Sequence, residues 1–338
     1  MADAMIRIAL DAMGGDYAPG VVVEGAVAAI REYGVEIILV GPKEAIQKEL
    51  AKHDVSGLKI PIVHAEEVVG MGEHAATALR QKRRSSIALG INLVREGQAH
   101  AFVSAGNSGA VMASALFGLG RIEGIERPAI GAVFPTAEGK CFIVDAGANV
   151  DCKPEYLAQF ALMGSVYMER IFGVARPRVT LLSNGEEDTK GNGLVQSCRP
   201  LLEALPINFT GYVEGKDIPT GAADVVVCDG FTGNVVIKLS EGLASTLFDI
   251  LKAELTSNLA SKLAALALKP AFRRVKRRLD YAEYGGAPLL GVKGIAIIAH
   301  GRSNALAIKN GVRVAKQAVD QKLVEAIETG LDPHNSSQ

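Results

Sequence analysis

The sequence predicts an α/β protein, a three-layer α/β/α sandwich built around a mostly parallel sheet. Three observations support this prediction. Short, continuous apolar runs alternate with longer segments whose apolar residues recur at helical spacing. Glycine-rich turns separate the two kinds of segment. Strands that are apolar throughout are typical of parallel sheets with helices on both faces.

The first part of the chain supplies four of the predicted strands. They are expected at residues 6–12, 36–40, 60–64 and 101–104. Helices are expected from about residue 21, over 43–53, over 73–97 and after residue 109. Strands and helices therefore follow each other in the βαβ order of a parallel sheet.

The rest of the chain continues this pattern. Strands are expected at residues 129–134, 140–145, 178–182, 208–213, 224–228 and 294–299. Helices are expected at residues 154–172, 191–204, 232–253 and 303–328. With 338 residues, 49% of them hydrophobic, the chain can bury a large core. We expect one α/β/α unit over residues 1–338, with two subdomains around a cleft as the alternative.

A basic, amphipathic helical excursion over residues 254–282 interrupts the pattern. Leucines recur at helical spacing there, and residues 255–279 include no acidic side chain. Pro270 is expected to divide this segment into two helices, because proline lacks the backbone N–H of a helix interior.

Composition excludes several classes of protein. The net charge of -1 argues against a molecule built as a whole to bind nucleic acid. None of the four cysteines forms a C-x-x-C pair, and there is no H-E-x-x-H motif, so neither a metal ion nor a cofactor is predicted. We find no signal peptide and no apolar run long enough to span a membrane, so a cytoplasmic location is expected.

Small polar residues cluster directly after the predicted strands. Ligands of open parallel sheets bind at the carboxyl ends of strands, and helix N-termini there favour anions. We therefore expect these loops to form one shared anion site. Ordinary turn and capping chemistry is the alternative. The loops are residues 11–16, 104–109, 145–151, 184–190, 229–234 and 300–304.

Neither of the common phosphate-binding motifs, G-x-x-x-x-G-K-[ST] or G-x-G-x-x-G, is present. The stretch G-N-S-G-A around Ser108 falls one residue short of the nucleophile elbow G-x-S-x-G. With Asp145 or Asp229, and then His300, it would complete the chain order Ser, Asp, His. A serine hydrolase or acyltransferase with a covalent acyl-enzyme therefore stays open.

The ordered set of motifs resembles one family over residues 6–324. These motifs are D-A-M-G-G-D, S-A-G-N-S-G-A, V-D-A-G-A-N, N-G-E-E, D-G-F-T-G-N-V-V-I-K and Y-G-G-A-P-L-L-G followed by H-G. Together they resemble the bacterial acyl-ACP:phosphate acyltransferases, the PlsX family. Residues 229–238 and 286–291 are more faintly similar to phosphotransacetylases. The resemblance implies an isocitrate/isopropylmalate dehydrogenase-like fold and a homodimer.

The resemblance also implies a reaction: transfer of a long-chain acyl group from acyl carrier protein (ACP) to inorganic phosphate, for phospholipid synthesis. Phosphate is then the nucleophile, and no nucleophilic side chain is needed. We expect phosphate to be held by Gly14, Gly15, Ser104, Asn107, Ser108 and Gly109. The expected catalytic residues are Lys190, Asn234, Lys238 and His300. The expected supporting residues are Asp11, Asp16, Asp145, Asn184 and Asp229.

Three partners are considered for the basic excursion: the acidic carrier protein, an anionic membrane at its inner face, and a second copy of the chain. A solvated face without a charged partner is the alternative. Nucleic acid is not expected, because Phe272 is the only aromatic residue in positions 255–279 that could stack on a base. A non-enzymatic, membrane-associated scaffold is a further alternative. The residues expected at this surface are Lys269, Phe272, Arg273, Arg274, Lys276, Arg277 and Arg278.

Overall fold

The structure is a computed structural model that describes residues 5–279 and 281–331. Eleven strands form one continuous sheet in the order β3-β2-β1-β4-β11-β10-β5-β6-β9-β7-β8. The strands are β1 (Arg7–Asp11), β2 (Glu36–Gly41), β3 (Ile62–His64), β4 (Ala101–Ser104), β5 (Ala129–Pro135), β6 (Lys140–Val144), β7 (Arg178–Ser183), β8 (Asn208–Glu214), β9 (Val225–Val227), β10 (Ala287–Leu290) and β11 (Ile295–Ile298).

Helices cover both faces of this sheet. Alternate residues of β1 show why: Ile8 and Leu10 pack in one apolar cluster, whereas Ala9 packs in another. The predicted α/β class, with a mostly parallel sheet between two helical layers, is confirmed. The helices are α1 (Gly20–Tyr33), α2 (Lys43–Leu50), α3 (Ala75–Gln81), α4 (Ser86–Arg95), α5 (Ser108–Gly118), α6 (Pro154–Phe172), α7 (Gly193–Glu203), α8 (Gly230–Leu255), α9 (Leu259–Leu279), α10 (Ala305–Asp320) and α11 (Leu323–Leu331).

The chain reverses its direction in the sheet between β5 and β6. These two strands pair antiparallel, and the turn between them is closed by the Thr136 hydroxyl, which accepts from Gly139 N at 2.9 Å. β10 is antiparallel to both of its neighbours. Consequently β1 to β5 and β11 point one way, and β6 to β10 point the other way. The carboxyl ends of the two groups therefore lie at opposite edges of the sheet.

Several predicted elements differ from the structure. The helix expected over residues 73–97 is divided into α3 and α4, and that over 303–328 into α10 and α11. β10 was not predicted. The break expected at Pro270 is wrong, because α9 continues through this residue. Pro270 is exposed, and so is Leu266, whose carbonyl loses its helical partner and can be solvated by water.

α8 and α9 form a helical hairpin, residues 230–279, that projects from the body of the protein. α8 has 26 residues and is therefore about 39 Å long. The longest strand beneath it has seven residues, about 23 Å. Only Gly230 and Gly233 of α8 are buried. At the other end of the hairpin, Arg278 donates to the backbone oxygen of Thr136 at 3.1 Å.

Candidate functional site: two clusters of polar loops

The six polar loops form two clusters, not one. The N-half cluster contains the loops after β1, β4 and β11, residues 11–16, 104–109 and 299–304. The C-half cluster contains the loops after β6, β7 and β9, residues 145–151, 183–191 and 228–234. β4 and β9 are five positions apart in the sheet, about 24 Å, and their carboxyl ends lie at opposite edges. The prediction that all six loops share one site within a chain is wrong.

The three loops of the N-half cluster pack closely together. A Cβ added to Gly14 would lie 2.6 Å from Gly106 N, so only glycine allows these two backbones to meet. Gly15 has a φ of +98, and a Cβ there would lie 2.9 Å from Gly301 O. The backbone N–H of Asp16 donates to the same oxygen at 2.8 Å. The glycines of the first motif thus join the loops into one surface.

A buried pair of side chains supports this surface from below. Ser104 Oγ donates to Asp11 Oδ2 at 2.7 Å and accepts from Gly106 N at 3.0 Å. Asp11 also accepts from Met13 N at 3.1 Å and from the Ser86 side chain. Burial raises the pKa of Asp11, and these hydrogen bonds oppose that rise. Because Ser104 is fully buried, its side chain orients the loop and does not face a ligand.

Asn107 has a positioning role that the sequence did not reveal. Its Oδ1 caps α5 by accepting from Ala110 N at 3.0 Å. Its Nδ2 donates to the backbone oxygens of Met71 at 3.0 Å and Glu73 at 2.9 Å. Both ends of the amide are therefore engaged, and Asn107 fastens residues 70–73 beside the cluster. The sequence does not mark residues 70–73 as part of the cluster, because they contact Asn107 through backbone oxygens, which every residue type has.

The exposed part of the N-half cluster is suited to an anion. α1, α5 and α10 all begin at this edge, and the first N–H groups of a helix have no intrahelical acceptor. Ser108 is exposed at the start of α5, beside Gly109. His300 is also exposed, and its Nδ1 accepts from Arg302 N at 3.1 Å. In the neutral ring the proton is then on Nε2, which makes Nε2 a hydrogen-bond donor.

The C-half cluster is organised around Asp145. This fully buried carboxylate accepts from the backbone N–H groups of Ile130, Gly147, Ala148 and Asn149, at 2.6 to 3.1 Å, and from the Asn149 side chain at 2.9 Å. Burial raises the pKa of Asp145, and the donors oppose that rise. Asp145 is therefore a structural support for its loop, as Asp11 is in the N-half cluster.

The motif D-G-F-T-G-N attaches α8 to the Asp145 loop. Asp229 caps the helix, accepting from Thr232 N at 2.8 Å. A Cβ at Gly230 would lie 2.7 Å from Asn149 O, and one at Gly233 would lie 1.9 Å from Asp145 O. Asn234 Nδ2 donates to Ala146 O at 3.3 Å. Close packing therefore accounts for the two glycines of this motif, and helix capping accounts for its aspartate.

The remaining predicted catalytic residues lie apart from the N-half cluster. The Lys190 side chain lies over Gly185 in the loop after β7, and the Asn184 side chain closes that loop by accepting from Gly191 N at 2.9 Å. Lys238 is exposed on α8. Of the four predicted catalytic residues, only His300 lies beside the predicted phosphate-binding residues.

The order Ser108, Asp145 or Asp229, His300 does not form a catalytic triad in the chain. Ser108 and His300 lie in the N-half cluster, whereas both aspartates lie at the opposite edge of the sheet. His300 Nδ1 accepts a backbone N–H and so does not donate to a carboxylate. The arrangement therefore argues against a serine nucleophile.

The predicted partner surface lies on α9. Lys269, Arg273, Arg274, Arg277 and Arg278 are exposed, and Phe272 is partly buried. The side chain of Lys276 lies outside the described residues. Among the described residues, no group of three or more His, Cys, Asp and Glu side chains could hold a metal ion. Within the same residues, no helix has the length and apolar character needed to cross a membrane.

The fold and the N-half cluster define an α/β protein with an exposed, glycine-lined surface suited to an anion at the carboxyl ends of its strands, an arrangement found in many enzymes of phosphate compounds. The phosphotransacetylase from Streptococcus pyogenes shares the fold, with a TM-score of 0.65, 19% identity, and coverage of 96% of this chain and 94% of that one. The 4-hydroxythreonine-4-phosphate dehydrogenase from Klebsiella pneumoniae also shares it, with a TM-score of 0.53, 13% identity, and coverage of 93% and 98%.

Sequence comparison is more specific. Residues 6–326 match the family model described as fatty acid synthesis protein. The phosphate acyltransferase of Geobacter sulfurreducens is 55% identical over 328 residues, covering 96% of this chain and 95% of the relative. That of Pelotomaculum thermopropionicum is 53% identical over 327 residues, covering 97% and 95%. The chain belongs to this family of phosphate acyltransferases, and it is an acyltransferase enzyme.

Proposed function

We propose that this enzyme transfers a long-chain acyl group from the thioester of acyl-ACP to inorganic phosphate, giving acyl phosphate for phospholipid synthesis. Membership of the family supports transfer to phosphate. The observation that carries the proposal is the N-half cluster, where three helix N-termini, Ser108 and His300 meet at an exposed, glycine-lined surface. The choice of acyl-ACP as the donor rests on the resemblance of the sequence motifs to the acyl-ACP:phosphate acyltransferases.

In the proposed reaction, an oxygen of hydrogen phosphate attacks the carbonyl carbon of the thioester. A C–O bond forms, the carbonyl oxygen becomes an oxyanion, and the C–S bond then breaks. The sulfur leaves with the bonding electron pair and takes up the proton that phosphate releases, so that protons balance. Helix α5 holds phosphate through Ser108 and Gly109, and His300 Nε2–H donates to the oxyanion.

The test is to mix the purified enzyme with acyl-ACP, with and without phosphate, and to measure free thiol and acyl phosphate. Thiol release should require phosphate. Ser108→Ala should lower the rate by no more than about tenfold, because it removes one hydrogen bond of about 0.5–1.5 kcal/mol. The matched control is Ser197→Ala, which changes an exposed serine of α7. Phosphate-independent release that Ser108→Ala abolishes would instead identify a serine hydrolase.

We further propose that the enzyme is a homodimer. Lys190 and Asn234 lie with the loops at the opposite edge of their own sheet, and Lys238 follows on α8. In the proposed dimer, a second copy brings these residues to the N-half cluster. An exposed apolar stripe with a four-residue repeat runs along α8 and can cover its equivalent in that copy. The exposed fractions are 62% for Phe231, 48% for Val235, 68% for Leu239, 66% for Leu243 and 63% for Leu247.

Sedimentation analysis should find that the wild type is a dimer. Leu243→Lys should raise the Kd of the dimer at least tenfold, because the change would bury a charge in the apolar interface. The matched control is Ser245→Lys, since Ser245 is exposed on the other side of α8. An equal effect of the two changes, or a monomeric wild type, would contradict an interface at the stripe.

We also propose that the tip of the helical hairpin contacts an anionic membrane. Leu259, Leu263 and Leu266 are 61–75% exposed there, next to Lys262 and Lys269. Exposed leucines beside lysines are typical of helices that lie on a membrane surface. Cosedimentation with vesicles should therefore be stronger when they contain anionic lipid than when they are neutral, and equal binding would contradict the electrostatic part of the contact.

A further inference from the structure

A basic cavity lies at the base of the helical hairpin, apart from both clusters of loops. Its volume is about 410 Å³. It brings the last turns of α9 together with the start of β6 and the segment before β10. Four of the six residues that line it are cations, and one is a carboxylate. They are Lys140, Arg274, Arg277, Arg278, Glu283 and Tyr284.

The positive charge of this cavity is poorly compensated. Arg278 donates to backbone oxygens, those of Thr136 and Ala137. Arg277 lies 3.9 Å from the carboxylate of Glu283. In the described part of the chain, this is the only ion pair that involves a cation of the cavity. A bound anion would neutralise positive charge that the described residues leave unbalanced.

Lys140 lies near two aromatic rings at the wall of the cavity. Its ammonium group lies 4.5 Å from the centroid of the Phe172 ring and 5.7 Å from that of Tyr284. Burial lowers the pKa of Lys140, and the positive charge of Arg313 lowers it further. Arg313 in turn donates to the backbone oxygen of Glu283 at 2.9 Å. An anion in the cavity would stabilise the charged form of Lys140.

The cavity and the N-half cluster lie at the same edge of the sheet. Lys140 pairs with Pro135 at the carboxyl end of β5, which is parallel to β11. β6 is three positions from β11, whose carboxyl end leads to His300. This separation is about 14 Å across the sheet. A phosphate group in the cavity is therefore too far away to attack a thioester carbonyl at the N-half cluster.

We propose that this cavity binds the phosphate group of the acyl donor's phosphopantetheine arm, while the thioester at the other end of the arm lies at the N-half cluster. Arginines recognise phosphate oxygens through paired, charge-assisted hydrogen bonds. The inference rests on the proposed function, because that function supplies a donor with a phosphate at one end of a long arm and a thioester at the other.

The test compares two small donors, acyl-4′-phosphopantetheine and acyl-pantetheine, which differ only in the phosphate. The wild-type ratio of their kcat/KM values should be on the order of 100 in favour of the phosphorylated donor, as expected for two or more charge-assisted hydrogen bonds. Arg274→Gln combined with Arg277→Gln should lower this ratio at least tenfold. Arg273→Gln is the matched control, because Arg273 is exposed on α9 and does not line the cavity, and it should keep the ratio.

A wild-type ratio near one, or a ratio that the double variant leaves unchanged, would overturn the proposal. A rise in the KM for inorganic phosphate without a change of ratio would also overturn it, because the cavity would then bind the attacking phosphate.

Calorimetric binding of phosphopantetheine and pantetheine tests the cavity without turnover. If phosphopantetheine binds more tightly and the double variant removes this difference, but neither thioester reacts with phosphate, the proposed function fails and the cavity stands.

Discussion

Replacing Gly233 by alanine is expected to lower the free energy of unfolding by about 3 kcal/mol, although alanine is the better helix former. The new Cβ would lie 1.9 Å from the backbone oxygen of Asp145 and 3.0 Å from Cys228 Sγ. Both obstacles belong to the ends of central strands, so neither can move without disturbing the sheet. α8 would have to lift from the loop on which it begins.

The matched control for this change lies on the same helix. Gly242 is exposed on α8, and a Cβ there would meet nothing within 4 Å. Gly242→Ala should therefore raise stability by about 0.5–1 kcal/mol. Urea denaturation at one fixed protein concentration measures both changes. If both variants shift stability in the same direction, the close contact of α8 with the Asp145 loop does not govern this position.

The fold class was predictable from the sequence, but the direction of its second half was not recognised. The apolar runs and turns located ten of the eleven strands. The two runs at 129–134 and 140–145 are separated by too few residues for a parallel crossover, which needs a dozen or more. They therefore had to form an antiparallel hairpin. Following this constraint would have placed the later loops at the opposite edge of the sheet.

The candidate site was predictable in its residues and not in their arrangement. The sequence located the glycines and polar residues after each strand. It could not show that Ser104 is buried under the loop, or that both ends of the Asn107 amide are engaged. These facts depend on tertiary contacts, with Asp11 in one case and with residues 70–73 in the other. Neither contact leaves a local pattern.

The two halves of the chain stabilise their loops in the same way, which explains why their sequence motifs looked equivalent. In each half an aspartate at the end of a central strand is buried and accepts hydrogen bonds from its own loop, Asp11 in the first and Asp145 in the second. In each half three helices begin beside those loops. Similar sequence motifs therefore mark similar architecture, while the exposed His300 and Ser108 distinguish the N-half cluster as the candidate site.

His300→Ala is expected to lower kcat/KM for acyl transfer by about 10²- to 10³-fold, because it removes a preorganised donor to the oxyanion. The bond from Arg302 N to Nδ1 keeps the proton of the neutral ring on Nε2 and orients that nitrogen. His300→Gln should recover part of the activity, since its amide can donate from a similar position. Because His300 is exposed, neither change should lower stability by more than about 0.5 kcal/mol.

The control for His300 is a histidine in a matching setting. His64 is exposed at the end of β3, and its Nδ1 also accepts a backbone N–H, that of Lys43 at 3.2 Å. His64→Ala should change kcat/KM by less than about threefold, as for a surface change of about 0.5 kcal/mol. Initial rates at varied acyl-ACP and phosphate separate kcat from KM. If His300→Ala behaves like His64→Ala while remaining folded, His300 does not donate to the reacting group, and the oxyanion must be stabilised by the helix N-termini alone.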